Sequence, residues 1–401
     1  MRVLFVSDEV GWPENTGYRK RVANVARSLA DLGSLDWVVL STEPGDVRPA
    51  PVPDVPCQPV HARVHLRPRP FRLLIWLTTR HPWRIAAIDF RRTRAAMVDA
   101  VATASREYDV VFYSHLDSQM IAGVAFSPIS RLAVVDLDNL ESSLVTHELA
   151  ALGASMRAFR RLAKRDEIAR WRRLEQRAAA TAVTFVCSEL DVRRMHGQSR
   201  VLSNGTSPPG PGYRRRPHPE HPVVVFVGSM SYEPNIDAVE YFARHVLWRI
   251  RAERPDVEFR IVGRAGGERV RRLASVEGVT VVGEVASVEP ELAAAHLCVA
   301  PIRFGGGTRA KILESFAHAV PVVTTTVGCE GLEVIDSVHA LIADEPDAMA
   351  SACLRLLRDK REGEALARSA AELAGARYDW RTITAELSDA LRRAAATDLR
   401  S

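Results

Sequence analysis

The densest run of chemistry-bearing residues is Gly305-Gly306-Gly307-Thr308-Arg309-Ala310-Lys311-Ile312-Leu313-Glu314. An apolar strand is predicted to end at Pro301, and a helix to begin near Thr308. Glycines let backbone amides approach an anion closely. A helix N-terminus adds unpaired N–H groups and a partial positive charge, which suits a phosphate. Arg309 and Lys311 place cations in a first turn, where the helix dipole disfavours them unless an anion is present. Glu314, about one and a half turns further on, can accept hydrogen bonds from vicinal sugar hydroxyls. A flexible loop leading into a solvated helix would use the same residues without a ligand.

A second run, Phe226-Val227-Gly228-Ser229-Met230-Ser231-Tyr232-Glu233-Pro234-Asn235, again lies between a predicted strand and a helix. Gly228 and Ser229 can donate from backbone and hydroxyl, and Asn235 is expected to cap the helix. A plain strand–turn–helix connection reads the same way. Nearer the N-terminus, Asn15, Thr16 and Gly17 stand at a helix start, where capping is reason enough for the first two. His115 and Asp138-Asn139 each follow a predicted strand. A structural histidine and a turn-capping aspartate remain open beside a functional reading.

The elements that must position these residues alternate. Strands are expected at Val3–Ser7, Trp37–Ser41, Asp109–Tyr113, Leu132–Asp136 and Thr184–Cys187, and Arg200–Leu202 leads into Ser203-Asn204-Gly205. After a Pro/Arg-rich stretch they resume at Val223–Val227, Glu258–Val262, Val279–Val282, Leu297–Pro301 and Val322–Thr325. Helical periodicity fills the gaps, as in Arg19–Leu32, where Val22, Val25, Ala26 and Leu29 share a face. Pro44–Pro70 reads as irregular, Phe71–Arg106 as helix with breaks near His81-Pro82, and Met156–Ala180 as a long basic helix. Alternation of this kind predicts an α/β chain with parallel sheets covered on both faces. Such sheets bind ligands beyond the carboxyl ends of their strands. The expected organisation is a first domain over 1–205, a linker over 206–222, a second domain over 223–377, and a helical segment over 378–401 returning to the first.

Composition narrows the class. The chain has 401 residues, 47% hydrophobic and 26% charged, a net charge of +5 and a pI near 9.1. A chain of this length buries a sizeable core without disulfides or metals. Its five cysteines are odd in number and scattered, with no CxxC or Cys/His cluster. Neither a zinc site nor a disulfide framework is expected, and no metal is assigned. No run reaches the roughly 20 apolar residues of a membrane span, so the cytoplasm is the expected location. Two basic, apolar stretches, Arg67–Arg94 and Arg157–Arg177, suit either peripheral membrane contact or a solvated helix face. No aromatic-plus-basic platform for nucleic acid is evident.

Taken in order, five blocks resemble glycosyltransferase family 4, in the branch with a Gly-Gly-Gly-Thr-Arg donor loop. They are Val227–Asn235, Ile261-Val262-Gly263, Val282-Gly283-Glu284-Val285, Gly305–Glu314 and Pro321–Thr325. Ser203-Asn204-Gly205 and Tyr378-Asp379-Trp380 are similar to the family's flanking motifs. The resemblance implies the GT-B fold, two facing Rossmann-like domains with a cleft between them. It implies retaining transfer of a sugar from a nucleotide diphosphate sugar, a co-substrate rather than a cofactor, to an acceptor hydroxyl. Of the family's two donor-site glutamates, the second maps onto Glu314, at the donor ribose. The first falls on Gly306 and is absent. The basic pair that many members carry after the Gly228-like loop is also missing, and Arg309 and Lys311 are expected to substitute at the diphosphate.

By the same resemblance Gly228, Ser229, Asn235, Gly263, Val282, Glu284, Val285, Gly305, Gly306, Gly307 and Thr308 belong to the donor site. Gly17 faces the donor phosphates. His115 maps onto a histidine at the transferred sugar, and Asn15, Asp138 and Asn139 are assigned to the acceptor. A nucleotide-sugar epimerase, a pseudo-glycosyltransferase and a non-catalytic binding protein are rival readings. A dinucleotide oxidoreductase is disfavoured because no GxGxxG follows the first strand. Nucleotide, sugar, acceptor and oligomeric state are not legible.

Overall fold

The computed structural model describes residues 1–14, 16–42, 52–100, 107–126, 130–152, 157–216, 221–264 and 266–398. The chain divides into two compact units, Met1–Ser203 with Ile383–Ser401, and Asn204–Thr382.

The first unit is built on a seven-stranded sheet in the order β3-β2-β1-β4-β5-β6-β7. Its strands are β1 (Arg2–Ser7), β2 (Ser34–Ser41), β3 (Val60–Arg63), β4 (Tyr108–Ser114), β5 (Ser130–Leu137), β6 (Val183–Val186) and β7 (Arg200–Val201). Every neighbouring pair is parallel. The order reverses between β1 and β4, so their carboxyl ends flank the switch point at which such sheets place ligands. Burial on both faces explains the unbroken apolar run Val3-Leu4-Phe5-Val6. Leu4 and Val6 enter a core with Val111, Tyr113 and Trp171. Phe5 points the other way, tilted against Trp37 and edge to face with Phe112.

The second unit has six parallel strands in the order β10-β9-β8-β11-β12-β13. They are β8 (Val223–Val227), β9 (Glu258–Val262), β10 (Val279–Gly283), β11 (Leu297–Ala300), β12 (Val322–Thr324) and β13 (Leu341–Ile342). Alternation along β8 feeds two cores. Val224 and Phe226 pack on one side with Phe242 and Phe259; Val225 and Val227 pack on the other with Ile312 and Phe316. Here the switch point lies between β8 and β11. This is the α/β architecture expected from the alternation of apolar runs.

Several local expectations need correction. The stretch read as irregular contains β3, whose Ala62 is buried, as is Val64 just beyond it; prolines nearby hid a four-residue strand. Residues 44–51 of that stretch lie outside the described residues. Phe71–Arg106 resolves into helices Arg69–Thr78, Trp83–Ala86 and Phe90–Ala100, with residues 101–106 outside the described set. The basic helix spans Ala158–Thr181.

Residues 206–216 are part of the second unit and pack against its other elements. Thr206 exchanges backbone hydrogen bonds with Tyr378 and Trp380, and Arg215 donates to the carbonyls of Ala295 and Ala319. The helix Trp380–Asp398 then enters the first unit, where the Ser388 and Ser28 hydroxyls meet at 2.8 Å.

Candidate functional site

In the second unit the segments leaving β8, β9 and β10 are packed backbone to backbone. Gly228 N–H donates to the Val262 carbonyl at 2.9 Å, and Gly263 N–H to Gly283 at 2.7 Å. Gly263 has φ +143°, and a Cβ there would sit 1.9 Å from the Gly228 carbonyl oxygen. Only glycine fits that approach. Val282 and Val285 are half-buried against the core below, flanking Gly283 and Glu284.

The glycine loop after β11 ends at a helix spanning Ala310–Ala317, with Arg309 in the N-cap position. The helix therefore starts two residues after the expected Thr308. Arg309 is buried, and its guanidinium turns back to donate to the carbonyls of Gly306 and Gly307. Gly305 has φ +145°, and a Cβ there would sit 2.9 Å from the same guanidinium. Arg309 thus clamps the loop whose amides it was expected to supplement. The Thr308 hydroxyl is buried with no hydrogen-bond partner among the described residues, and such a group is costly unless something pairs with it.

Lys311 does something else. From the first turn of helix 310–317 it crosses to the β8 loop, where its ammonium donates to Asn235 Oδ1. It lies 4.1 Å from the centroid of the Phe226 ring. Burial and the nearby Arg309 guanidinium bring its pKa down to about 7. No carboxylate among the described residues pairs with it. Asn235 is not the expected cap: the helix spans Glu233–Tyr241 with Tyr232 before it, and Asn235 lies inside. Its side chain instead donates to the Ser229 carbonyl at 2.8 Å while accepting from Lys311. Ser229 and Ser231 share a hydroxyl hydrogen bond, and Tyr232 brings its hydroxyl close to Gly305. Glu314 is half-buried, one turn beyond Lys311 on the same helix face. The two loops, the helix N-terminus and these side chains so form one cation-rich corner at the switch point of β8 and β11.

In the first unit the carboxyl ends of β1, β4 and β5 gather another cluster. His115 follows β4 at φ +69°, a conformation costly for a non-glycine residue. Its Nδ1 lies 3.4 Å from Asp8 Oδ2, and its Nε2 lies 3.9 Å from Asp138 Oδ2. The ring stacks on Tyr18, with centroids 4.3 Å apart and planes 15° from parallel. The Tyr18 hydroxyl bonds to Asp8 and lies 3.1 Å from Ser114 Oγ. Burial opposes charge on His115, but Asp8 and Asp138 outweigh it and hold its pKa well above the ordinary value. Burial likewise opposes charge on Asp8, yet His115 and Tyr18 hold its carboxyl below the usual range.

Behind this lies Arg21, fully buried, which grips Asp136 at 2.8 and 2.6 Å and the Leu202 carbonyl at 2.9 Å. It also approaches Asp138 at 3.8 Å. The Cys187 thiol donates to the Asp138 carbonyl at 2.8 Å, and burial pushes its pKa well up. Asn139 is half-buried next to Asp138. Gly17 opens the helix Gly17–Ala30, and Thr16 caps it by accepting from Arg19 N–H. Asn15 lies outside the described residues.

Asp8, Tyr18 and Arg21 escaped the sequence reading. Arg21 left a signal: it lies four residues before Val25, on the buried face of its helix, where a charge needs a partner. Among the described residues no group of three or more His, Cys, Asp or Glu side chains is placed to hold a metal ion. No described helix is long and apolar enough to cross a membrane.

Comparison with known proteins fits this geometry. Residues 221–359 match the family model for Glycosyl transferases group 1. Among solved structures, sucrose-phosphate synthase from Thermosynechococcus elongatus superposes with a TM-score of 0.70 at 19% identity, covering 99% of this chain and 100% of that one. HepE of Anabaena in complex with UDP-glucose gives 0.64 at 17%, covering 98% and 100%. WaaG, a glycosyltransferase involved in lipopolysaccharide biosynthesis, gives 0.61 at 13%, covering 97% and 99%. No curated protein matches the chain. By the fold of both units the chain shares the GT-B architecture of these enzymes, and residues 221–359 of its second unit match the Glycosyl transferases group 1 family.

Proposed function

We propose that the chain is a retaining enzyme that moves a sugar from a nucleotide diphosphate sugar to an acceptor hydroxyl, with the donor held at the corner of β8 and β11. The observation that carries this is Lys311, a half-buried ammonium delivered to the β8 loop and held by an amide oxygen and an aromatic ring. An ammonium so placed, beside a helix N-terminus and the buried Thr308 hydroxyl, suits a diphosphate. Arg309 keeps the glycine loop in shape for it. Glu314 accepts from the ribose hydroxyls, and the Val282–Val285 backbone meets the base. Gly17 and His115 serve the donor phosphates and the transferred sugar. Asp138, Asn139 and Asn15 serve the acceptor.

In the transfer, the bond from the anomeric carbon to the diphosphate oxygen breaks as the acceptor oxygen bonds to that carbon from the same face. The acceptor proton passes to the departing diphosphate. Lys311 and the helix N-terminus stabilise the charge that develops there.

The test is thermal stability of the purified chain against UDP, GDP, ADP and dTDP and their sugars. UDP comes first because complexes of HepE contain UDP and UDP-glucose. One nucleotide far above its Kd raises the midpoint, by a few kcal/mol of stabilisation, and the rise is lost in Glu314→Ala. No shift with any nucleotide removes the donor-site assignment.

A further inference from the structure

The helix Arg69–Thr78 of the first unit buries none of its residues. At 3.6 residues per turn, Leu73, Leu77, Pro70, Leu74 and Phe71 fall side by side on an arc of about 160°. That arc is the solvent-facing one: Phe71 is 59% exposed, Leu73 49%, Leu74 55% and Leu77 64%. The opposite arc, with Arg72, Ile75 and Trp76, is half-buried and turns toward the protein. This is the reverse of the usual arrangement, in which the apolar stripe faces the core.

The helix is nevertheless held firmly. Arg170, from the helix Ala158–Thr181, donates to the carbonyls of Trp76, Thr79 and His81 at 2.9, 2.8 and 2.9 Å. Its guanidinium also lies 4.9 Å over the Trp76 ring, and Trp76 meets Trp83 edge to face. Leu66 and Trp83, at the two ends of the segment, are exposed as well. An apolar patch of this kind on a fixed element marks an interaction surface.

Charge says what covers it. Between Asp54 and Asp89 there is no Asp or Glu, against six arginines. Arg67, Arg72 and Arg84 are engaged with the protein itself. Arg63, Arg69 and Arg80 are exposed, and no carboxylate among the described residues pairs with them. Arg69 opens the helix and Arg80 lies just beyond its end, so cations flank the apolar arc. We propose that this helix lies flat in the surface of an anionic lipid bilayer, with Phe71, Leu73, Leu74 and Leu77 among the acyl chains and Arg69 and Arg80 at the headgroups. Apolar area and attraction to anionic lipid add in such helices.

The test is co-sedimentation of the full chain with vesicles of phosphatidylcholine alone and of equal parts phosphatidylcholine and phosphatidylglycerol. The wild-type chain pellets with the anionic vesicles and stays in solution with the neutral ones. Leu74→Glu with Leu77→Glu lowers the partition coefficient by at least about tenfold at an unchanged thermal midpoint, since both residues are exposed. Arg69→Gln with Arg80→Gln weakens binding and removes most of its salt dependence. Equal sedimentation with both vesicles, none with either, or a Glu variant that pellets like wild type overturns the proposal. A dimer in light scattering that the Glu variant splits would assign the face to a second copy instead. None of these readouts depends on the donor, so the proposal stands or falls apart from the one above.

Discussion

The two units end their first strands alike and use the space differently. Beyond β1 and β4, charges are matched within the unit: His115 lies between Asp8 and Asp138, and Arg21 is bound to Asp136. Beyond β8 and β11, Arg309 and Lys311 stand near each other with no carboxylate among the described residues to balance Lys311. The first arrangement supports its own fold. The second keeps an unfavourable charge in place that an anionic ligand would offset. Sites kept for a ligand commonly cost stability in this way.

That contrast can be broken by substitution, beginning with the largest effect. Asp136→Ala strands the buried Arg21 and should lower stability by about 3–5 kcal/mol, read by urea denaturation. A loss under 1 kcal/mol would mean that the pair is not a structural support. Arg309→Ala should cut kcat by about 100-fold, and Arg309→Lys should not restore it, because the clamp on two carbonyls needs a guanidinium fork. Glu314→Ala should raise the donor Kd by roughly ten- to a hundredfold. Unchanged kinetics in both the Arg309 and Glu314 variants would remove the donor site from this corner. Lys311→Met should weaken nucleotide binding by about tenfold, yet leave the unliganded chain no less stable than wild type. A clear drop in its thermal midpoint would show that the ammonium supports the fold after all.

The same lysine sets a pH dependence. Its folded pKa is near 7 and its unfolded one near 10.4. Between these values the unfolded chain binds the extra proton, so this group makes stability rise with pH across that window. A bound diphosphate favours the ammonium. Affinity should therefore fall as pH rises above about 7, with proton uptake seen as buffer-dependent binding enthalpy. Lys311→Met supplies the baseline for the nucleotide's own titration.

The smallest effect is expected in the first unit. His115 has a raised folded pKa. Its stabilisation is complete below about 6.5 and is lost as pH climbs through the folded value. Asp8→Asn should move the His115 midpoint down in an NMR titration; no movement would give the charge to Asp138 alone.

Much of this was legible because parallel strands buried on both faces read as unbroken apolar runs, and glycine loops between strand and helix stand out. The corner at β8 and β11 was therefore found from its residues. What those residues do locally was not. Arg309 was read as a cation for a ligand, yet its reach back to Gly306 and Gly307 depends on where the helix begins, a matter of two residues. Asn235 looked like a cap by type and position, but its amide serves a loop and a lysine brought near only by the sheet order. Asp8 and Tyr18 were invisible as partners of His115 because β1 and β4, neighbours in space, lie about a hundred residues apart in the chain.

The first unit is discontinuous: its last segment, from Ile383 onward, follows the whole of the second. On a ribosome the second unit can therefore close around its core before the first is complete. A nascent chain halted at residue 382 would carry a first unit in which Ser28 still waits for Ser388. The order of completion is then the reverse of the order of synthesis, and the unit begun first is the one longest exposed to chaperones.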